Sequence, residues 1–372
     1  MHIITLASYL SSKRGGLEHS LFDVCQALAE RGHKITLVYE EEGDQLEKYQ
    51  EFCTELIKIT SYRLNASFLS DIKRVSSLQS SIIYSNQYNN FFFGRLLSQL
   101  QGIPLICHLR LHASGEDNPL KRIKQSFTLS GISRYIAISE AVKTDWCDRL
   151  NISGDKVSIV YNGIEPERFS IPSEISDIRA AWDLSPTERV VSYVGRLETE
   201  KGIETLIRAF ALLRQSSIPA KLLVAGKPLF SGEEYISHLA ALADSLGIKD
   251  DVKFLGHISN TQSLYQVSDV NVLPSLWLEA FGRVIIEAMA CGTPALGSRS
   301  GGIPEVLTGE FSDWLFTSGD ELDLYAKLKG VINWRDTDPA LSQRCRQHVV
   351  TNFSLNQTID GIETILKQVV VS

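Results

Sequence analysis

The strongest constraint on the fold is a repeating alternation of short apolar, β-branched runs with amphipathic helical stretches. HIITLAS is followed by the loop SSKRGG, the amphipathic stretch Leu17–Arg31, Gly32 and a second apolar run, KITLVYE. That is β–loop–α–β. The pattern recurs as SSIIYSN, FFFGRLLSQL, PLICHLRLH, YIAISEAVKTDW and VSIVYNG. Strands alternating with helices at this spacing predict a parallel sheet with helices on both faces. Beyond Pro166 the pattern weakens through the Ser-rich stretch 170–188, then restarts at RVVSYVGRL with the helix GIETLIRAFALLRQ behind Gly195. KLLVAGK, DVKFLGH, VNVLPS, TPALGS and WLF follow as strand candidates. The chain of 372 residues therefore reads as two successive doubly wound α/β domains, in keeping with a prior of about 150 residues per domain. The hinge is expected near 162–175, with domains at 1–168 and 169–352, and 353–372 forming a terminal helix.

Charge narrows the function classes. The net charge of −7 argues against general nucleic-acid binding, which leaves a basic footprint. It is unevenly placed: residues 1–169 hold 19 basic and 19 acidic residues, and the remaining 18 basic against 25 acidic carry the whole excess. The N-terminal half is thus the better side to meet an anionic surface, and Lys121, Arg122 and Lys124 cluster there, although a solvated helix face accounts for them equally well. Six single cysteines with no C-x-x-C pair imply neither a disulfide framework nor a zinc site, and reduced cytosolic thiols are the simplest account. No leader peptide is expected, and no apolar run of about 18 residues exists to span a bilayer.

In parallel sheets of this kind ligands bind at the carboxyl ends of the strands, which directs attention to three loops. Gly15 and Gly16 open the first helix, where free backbone N–H groups favour an anion, although a Gly-Gly turn is commonplace and no G-x-G-x-x-G is present. In GRLETEKG, Arg196 and Lys201 leave a strand end and enter a helix at Gly202. A guanidinium fork plus an ammonium there suits a diphosphate; two surface cations would look the same. In LEAFGRVIIEAMACGTPALG, Gly282 opens a helix and Gly292 closes it, Glu279 precedes it, and the amides of Phe281, Gly282 and Arg283 face out of its N-terminus. Glu287 sits one turn deeper among apolar residues, so it needs a partner. That partner is either Arg283, by an i,i+4 salt bridge, or a ligand. His108 and His112, in PLICHLRLHASG, stand at a strand end where a histidine can be structural, bind a hydroxyl or move a proton.

Taken together these residues resemble the retaining GT-B glycosyltransferases, specifically glycosyltransferase family 4, the group 1 sugar transferases. The features that carry the resemblance are the E-x7-E element Glu279 to Glu287 within PSLWLEAFGRVIIEAMACGTPALGSRSGGIPEV, the loop VGRLETEKGIETLIRAF, the turn VYNGIEPERF, the segment VKFLGHI and the early GGLE. The resemblance covers essentially the whole chain in the family's order. It implies two Rossmann-like domains facing across a cleft, the C-terminal one taking a nucleotide sugar, the N-terminal one an acceptor, and the terminal helix crossing back to the N-terminal domain. Arg196 and Lys201 would hold the diphosphate, Glu287 the ribose, and Glu279 the transferred sugar, with the amides of Phe281 and Gly282. Gly15 and Gly16 would meet the phosphates, His108 would lie near the sugar, and Ile258 would touch the base. His108, Glu279, Arg196 and Lys201 are the expected catalytic set. No metal or other cofactor is expected. The expected partners are a UDP-sugar, UDP-glucose first, and a glycan or lipid-linked acceptor in polysaccharide biosynthesis. The expected location is cytoplasmic, with peripheral contact on the inner face of the plasma membrane through the N-terminal domain and no nucleic acid. A GDP-mannose user and a non-catalytic nucleotide-sugar-binding protein are the alternatives. Three departures from the family pattern stand out: Ala280 after Glu279, Lys227 after Gly226, and Arg110 beside His108 as an extra cation facing the cleft, suited to an anionic acceptor.

Overall fold

The computed structural model describes residues 1–12, 15–113, 118–185 and 187–371. The chain divides into two units, Met1–Asn162 with the terminal segment from Leu355, and Gly163–Ser354.

The first unit holds strands β1 (His2–Tyr9), β2 (Lys34–Glu41), β3 (Glu55–Lys58), β4 (Ile82–Ser85), β5 (Leu105–Leu109), β6 (Arg134–Ala137) and β7 (Val157–Ile159) in the order 3-2-1-4-5-6-7. All pairs are parallel, with His2 opposite Lys34 on one side of β1 and Ile3 opposite Ile82 on the other. Ile3, Ile4, Leu6 and Ala7 are completely buried in succession, as a strand covered on both faces must be. β3 was not anticipated: its sequence ELIK offers only two apolar residues, and just Ile57 is buried.

The second unit holds β8 (Arg189–Val194), β9 (Ala220–Ala225), β10 (Val252–Gly256), β11 (Val270–Leu273), β12 (Ala295–Ser298) and β13 (Leu315–Phe316) in the order 10-9-8-11-12-13. Relabelled from its own start this is again 3-2-1-4-5-6. In each sheet the order reverses between its first and fourth strands, and the crevice at that reversal is where such sheets place ligands.

Two expected boundaries move. Residues 163–168 belong with the second unit rather than the first: Ile164 donates to the Phe353 carbonyl at 3.0 Å, and Arg346 Nη2 donates to the Pro166 carbonyl at 3.1 Å. The terminal helix is Leu355–Val371, and it completes the first unit's core. Ile359, Ile362, Ile365 and Leu366 pack in one cluster with Val24 and Leu28, and Glu363 accepts from His33 Nε2 at 2.9 Å and Arg31 Nη1 at 3.0 Å. Among the described residues no helix is long and apolar enough to cross a membrane.

Candidate functional site

At the reversal of the second sheet, the loop leaving β8 carries Arg196 and Lys201, and the loop leaving β11 carries Ser275, Trp277 and Glu279. Two contacts lock these loops together, and the loop after β12 braces the second of them. Leu276 N–H donates to the Glu200 carbonyl at 2.8 Å. Gly202, at φ +68°, comes so near Pro274 that a Cβ would lie 2.0 Å from its carbonyl oxygen. Gly301, at φ +54°, similarly underlies Glu279, where a Cβ would lie 2.0 Å from the Glu279 carbonyl, and Gly302 N–H donates to that same carbonyl at 2.7 Å. Any side chain at Gly202 or Gly301 would have to displace backbone.

Within this frame Lys201 Nζ donates to Glu279 Oε2 at 2.6 Å and stands 5.1 Å from the centre of the Trp277 ring. Ser275 Oγ donates to the same carboxylate oxygen at 2.9 Å, and the Ser275 carbonyl is held by Ser298 Oγ at 2.7 Å and Ser318 Oγ at 2.9 Å. Burial alone would raise the Glu279 pKa. The Lys201 charge and hydrogen bonds from Lys201, Ser275 and Trp277 outweigh it and hold the carboxyl below its ordinary value. Glu279 is therefore a carboxylate at neutral pH, its charge already matched by Lys201. Arg196 is different. It makes no ion pair with any described residue, and its guanidinium lies 5.7 Å from the Phe230 ring centre. Phe230 is set by Glu198, which accepts from the amides of Leu229, Phe230 and Ser231 at 2.6, 2.8 and 3.0 Å.

The helix Arg283–Ala290 begins at Gly282, in left-handed conformation with no side chain capping it. Gly292, at φ +77°, follows its end. The Phe281 ring is buried against Phe353, at 5.7 Å between centroids, so this residue offers the loop its backbone rather than its side chain. Glu287 is not waiting for a partner: Oε1 accepts from Arg283 Nε at 2.9 Å and Oε2 from Tyr265 OH at 3.0 Å. The salt bridge that was one of two open readings is present, together with a tyrosine that spacing could not reveal. An ionised carboxylate offers about four lone-pair positions, so two accepted bonds leave room for hydroxyl donors. Ile258, half-buried, packs on the cluster that contains Leu184, Val190 and Leu264.

The first unit's candidates lie at the ends of β1 and β5. Gly15 is the N-cap of helix Gly16–Glu30, with no side-chain cap. Earlier in the chain, Asp44 accepts from Ser11 Oγ and the Ser12 amide, each at 3.0 Å. His108 is completely buried and 2.5 Å from Tyr84 OH. Burial, with the Arg110 charge adding to it, pushes its pKa well below the ordinary histidine value, so the ring is neutral. Arg110 is not the open cation that sequence suggested but a buried one: Nε donates to Asn86 Oδ1 at 2.9 Å, and Nη1 to Ser20 Oγ at 2.5 Å and Asn162 Oδ1 at 3.2 Å.

Residues 174–348 match the family model described as glycosyl transferases group 1, and residues 14–168 match the model for glycosyltransferase family 4. The chain belongs to this family. Among curated relatives, an uncharacterized glycosyltransferase of Methanocaldococcus jannaschii is 30% identical over 266 residues, 68% of this chain and 66% of that one. A D-inositol 3-phosphate glycosyltransferase of Mycolicibacterium smegmatis is 30% identical over 246 residues, 66% of this chain and 55% of that one. These matches span less than two thirds of either relative. Among solved structures, the Anabaena protein HepE in complex with UDP and glucose superposes with a TM-score of 0.85 at 24% identity, covering 99% of this chain and all of that one. The fold is GT-B.

In this family 4 chain, sequence reading missed Ser275, Trp277, Glu198 and Tyr265. Ser275 and Trp277 lie within PSLWLE, four and two residues before the recognised glutamate, and were open to notice there. Glu198 and Tyr265 act through partners 22 to 33 residues away, which only the sheet topology brings near.

Proposed function

We propose that this protein is a retaining, metal-independent glycosyltransferase that moves a hexose from a UDP-sugar, with UDP-glucose the first candidate, to a glycan or lipid-linked acceptor in polysaccharide biosynthesis. The observation that carries this reading is the Lys201–Glu279 pair at the reversal of the second sheet. A cation and a carboxylate stand there beside a helix N-terminus that no side chain caps, with Arg196, which has no ion pair among the described residues, in the loop that carries Lys201. In this reading Arg196 and Lys201 take the diphosphate and stabilise it as it leaves. Glu279 accepts hydrogen bonds from hydroxyls of the transferred sugar, and Glu287, oriented by Arg283 and Tyr265, accepts from the ribose. The bond from the anomeric carbon to the diphosphate oxygen breaks, the acceptor oxygen bonds to that carbon on the same face, and the acceptor's proton goes to the departing phosphate. His108, being neutral, would serve as a hydrogen-bonding group rather than as an acid. The crystallised complex of HepE with UDP and glucose supports a UDP-sugar over a GDP-sugar.

The test is to measure thermal stabilisation and nucleoside diphosphate release with UDP-glucose, UDP-galactose, GDP-mannose and ADP-glucose. UDP-glucose should stabilise the protein most, and Lys201→Ala should lose that stabilisation. Equal stabilisation of Lys201→Ala would remove the donor site from this loop, a larger response to GDP-mannose would make the protein a mannosyltransferase, and stabilisation without turnover on any acceptor would leave a binding protein.

A further inference from the structure

The pairing of β4 with β5 sets Tyr84 opposite Ile106, and alternation along β5 puts His108 on the same face as Ile106. Tyr84 and His108 are thus diagonal neighbours on that face, within the part of the sheet that packs against Val24, Leu28 and Ile362. Both side chains are completely buried, and the Tyr84 hydroxyl lies 2.5 Å from His108 Nδ1. Burial pushes the Tyr84 pKa up, so the phenol keeps its proton, and the neutral imidazole carries a single one. Two arrangements can share these protons. In the first, Nδ1–H donates to the tyrosine oxygen, which leaves Tyr84 O–H a buried donor without an acceptor and Nε2 a buried acceptor without a donor. In the second, Tyr84 O–H donates to Nδ1, and only Nε2–H is left over. Among the described residues His108 Nδ1 is the only acceptor that the Tyr84 hydroxyl meets, and Nε2 has no partner. The Arg110 guanidinium also acts on the Tyr84 oxygen, but it can only donate, so it offers the phenol proton no alternative. Each buried polar group left unpaired costs free energy, and the second arrangement leaves fewer.

The surroundings of Nε2 agree with that choice. Asn86 Nδ2, Asn90 Nδ2 and Arg110 Nη2, at the same end of the sheet, are also buried donors without a partner among the described residues. The two amides are oriented by what their oxygens accept, Asn86 Oδ1 from Arg110 Nε at 2.9 Å and Asn90 Oδ1 from Ser8 Oγ at 3.0 Å. An Nε2–H adds a fourth donor to this set, and donors of this kind are satisfied by a ligand that presents oxygen lone pairs. We infer that Tyr84 is a positioning residue: its hydroxyl fixes His108 as the Nε2–H tautomer, so that the ring meets a substrate oxygen as a hydrogen-bond donor and not as a general base. The inference rests on the reading of His108 as a residue that meets the substrate, and Tyr84 acts only through it.

The experiment combines a spectrum with a kinetic cycle. In protein labelled with ¹⁵N-histidine, two-bond ¹H–¹⁵N correlation distinguishes the tautomers, and His108→Gln assigns the signal by removing one of eight histidines. The parent at neutral pH should show Nε2–H. In Tyr84→Phe the Nδ1 resonance should move as its hydrogen bond is lost, and the Nδ1–H form should become populated. The kcat/KM for UDP release from UDP-glucose should fall about tenfold in that variant, the usual scale for one lost hydrogen bond. His108→Gln offers an amide donor with no tautomer to fix, so Tyr84→Phe should add nothing in that background. Tyr135→Phe, which removes another fully buried hydroxyl of this sheet, bonded to the Leu129 carbonyl at 2.8 Å, should move neither readout. An Nδ1–H tautomer in the parent overturns the inference, as does a His108 spectrum or a kcat/KM that Tyr84→Phe leaves unchanged. A Tyr84→Phe loss that persists in full in His108→Gln overturns it too, because Tyr84 would then act by another route. The spectrum is read on the free protein, so it tests the tautomer whatever the donor proves to be.

Discussion

The two sheets share one strand order, yet they treat charge at their carboxyl ends differently. In the second unit each carboxylate of the E-x7-E element has a cation: Lys201 with Glu279 at 2.6 Å, Arg283 with Glu287 at 2.9 Å. In the first unit the corresponding face keeps a buried guanidinium, Arg110, bonded to neutral oxygens of Asn86, Ser20 and Asn162 and in no ion pair among the described residues, beside a histidine held neutral. Topology therefore chooses where a site can be, and side-chain pairing chooses what it can do. A paired cation can pass from its carboxylate to an incoming phosphate with little change in local charge. An unpaired buried cation has no such exchange to offer and favours whatever anion reaches it.

Breaking the Lys201–Glu279 pair should give the largest effect. Lys201→Ala is expected to lower the rate of nucleoside diphosphate formation by about 10²–10³-fold, the usual consequence of removing one preorganised charge at a leaving group. It should also lower Tm, because the half-buried Glu279 carboxylate is left without its counter-ion. The first unit sharpens the contrast: Arg110→Met should leave stabilisation by UDP-glucose in place while altering acceptor KM. Equal loss of donor stabilisation in both variants would break the distinction between the units.

Much of this contrast was legible from sequence, for physical reasons. β1, β4, β5, β8, β9 and β11 lie inside their sheets and read as continuous apolar runs. Edge strand β3, covered less completely, did not. Glu279, Lys201 and Arg196 were found because each leaves a strand within a few residues of a glycine turn, a signal local in the chain. The environment of Arg110 was misjudged because burial is a property of the whole unit: its oxygen partners come from residues 20, 86 and 162. Glu287 marks the boundary between the two cases. Its i,i+4 partner could be foreseen from helix geometry, and Tyr265, 22 residues upstream, could not.

Because Arg283 Nε and Tyr265 OH grip opposite oxygens of Glu287, the residue that binds and the residues that aim it should be coupled. Glu287→Ala and Arg283→Ala are each expected to weaken UDP-sugar binding by about tenfold, with the double variant little worse than either single one, as groups sharing one network behave. Isothermal titration of the three variants measures this. Additive losses would mean that Arg283 and Glu287 contact the nucleotide separately, and a silent Arg283→Ala would reduce the pair to a surface-type i,i+4 bridge.

The smallest expected effect is at the terminal helix, which stabilises the first unit and has no counterpart in the chemistry of the second. Hydrogen bonds from Lys367 and His33 outweigh the opposing effect of desolvation and, with Arg31, bring the Glu363 carboxyl from an ordinary 4.5 down to about 2. A carboxyl whose folded pKa is depressed contributes stability that is fully present above its unfolded value and lost as pH falls toward its folded one. The Tm of the parent should therefore exceed that of Glu363→Gln by a few degrees at neutral pH, and the gap should close as pH drops from 4.5 toward 2. Nucleotide-sugar stabilisation, which the proposed donor site assigns to the other unit, should be the same in both proteins at neutral pH. A gap that stays constant through the acid range would show that the helix is held by Ile359, Ile362, Ile365 and Leu366 alone, with the Glu363 cluster contributing shape rather than charge.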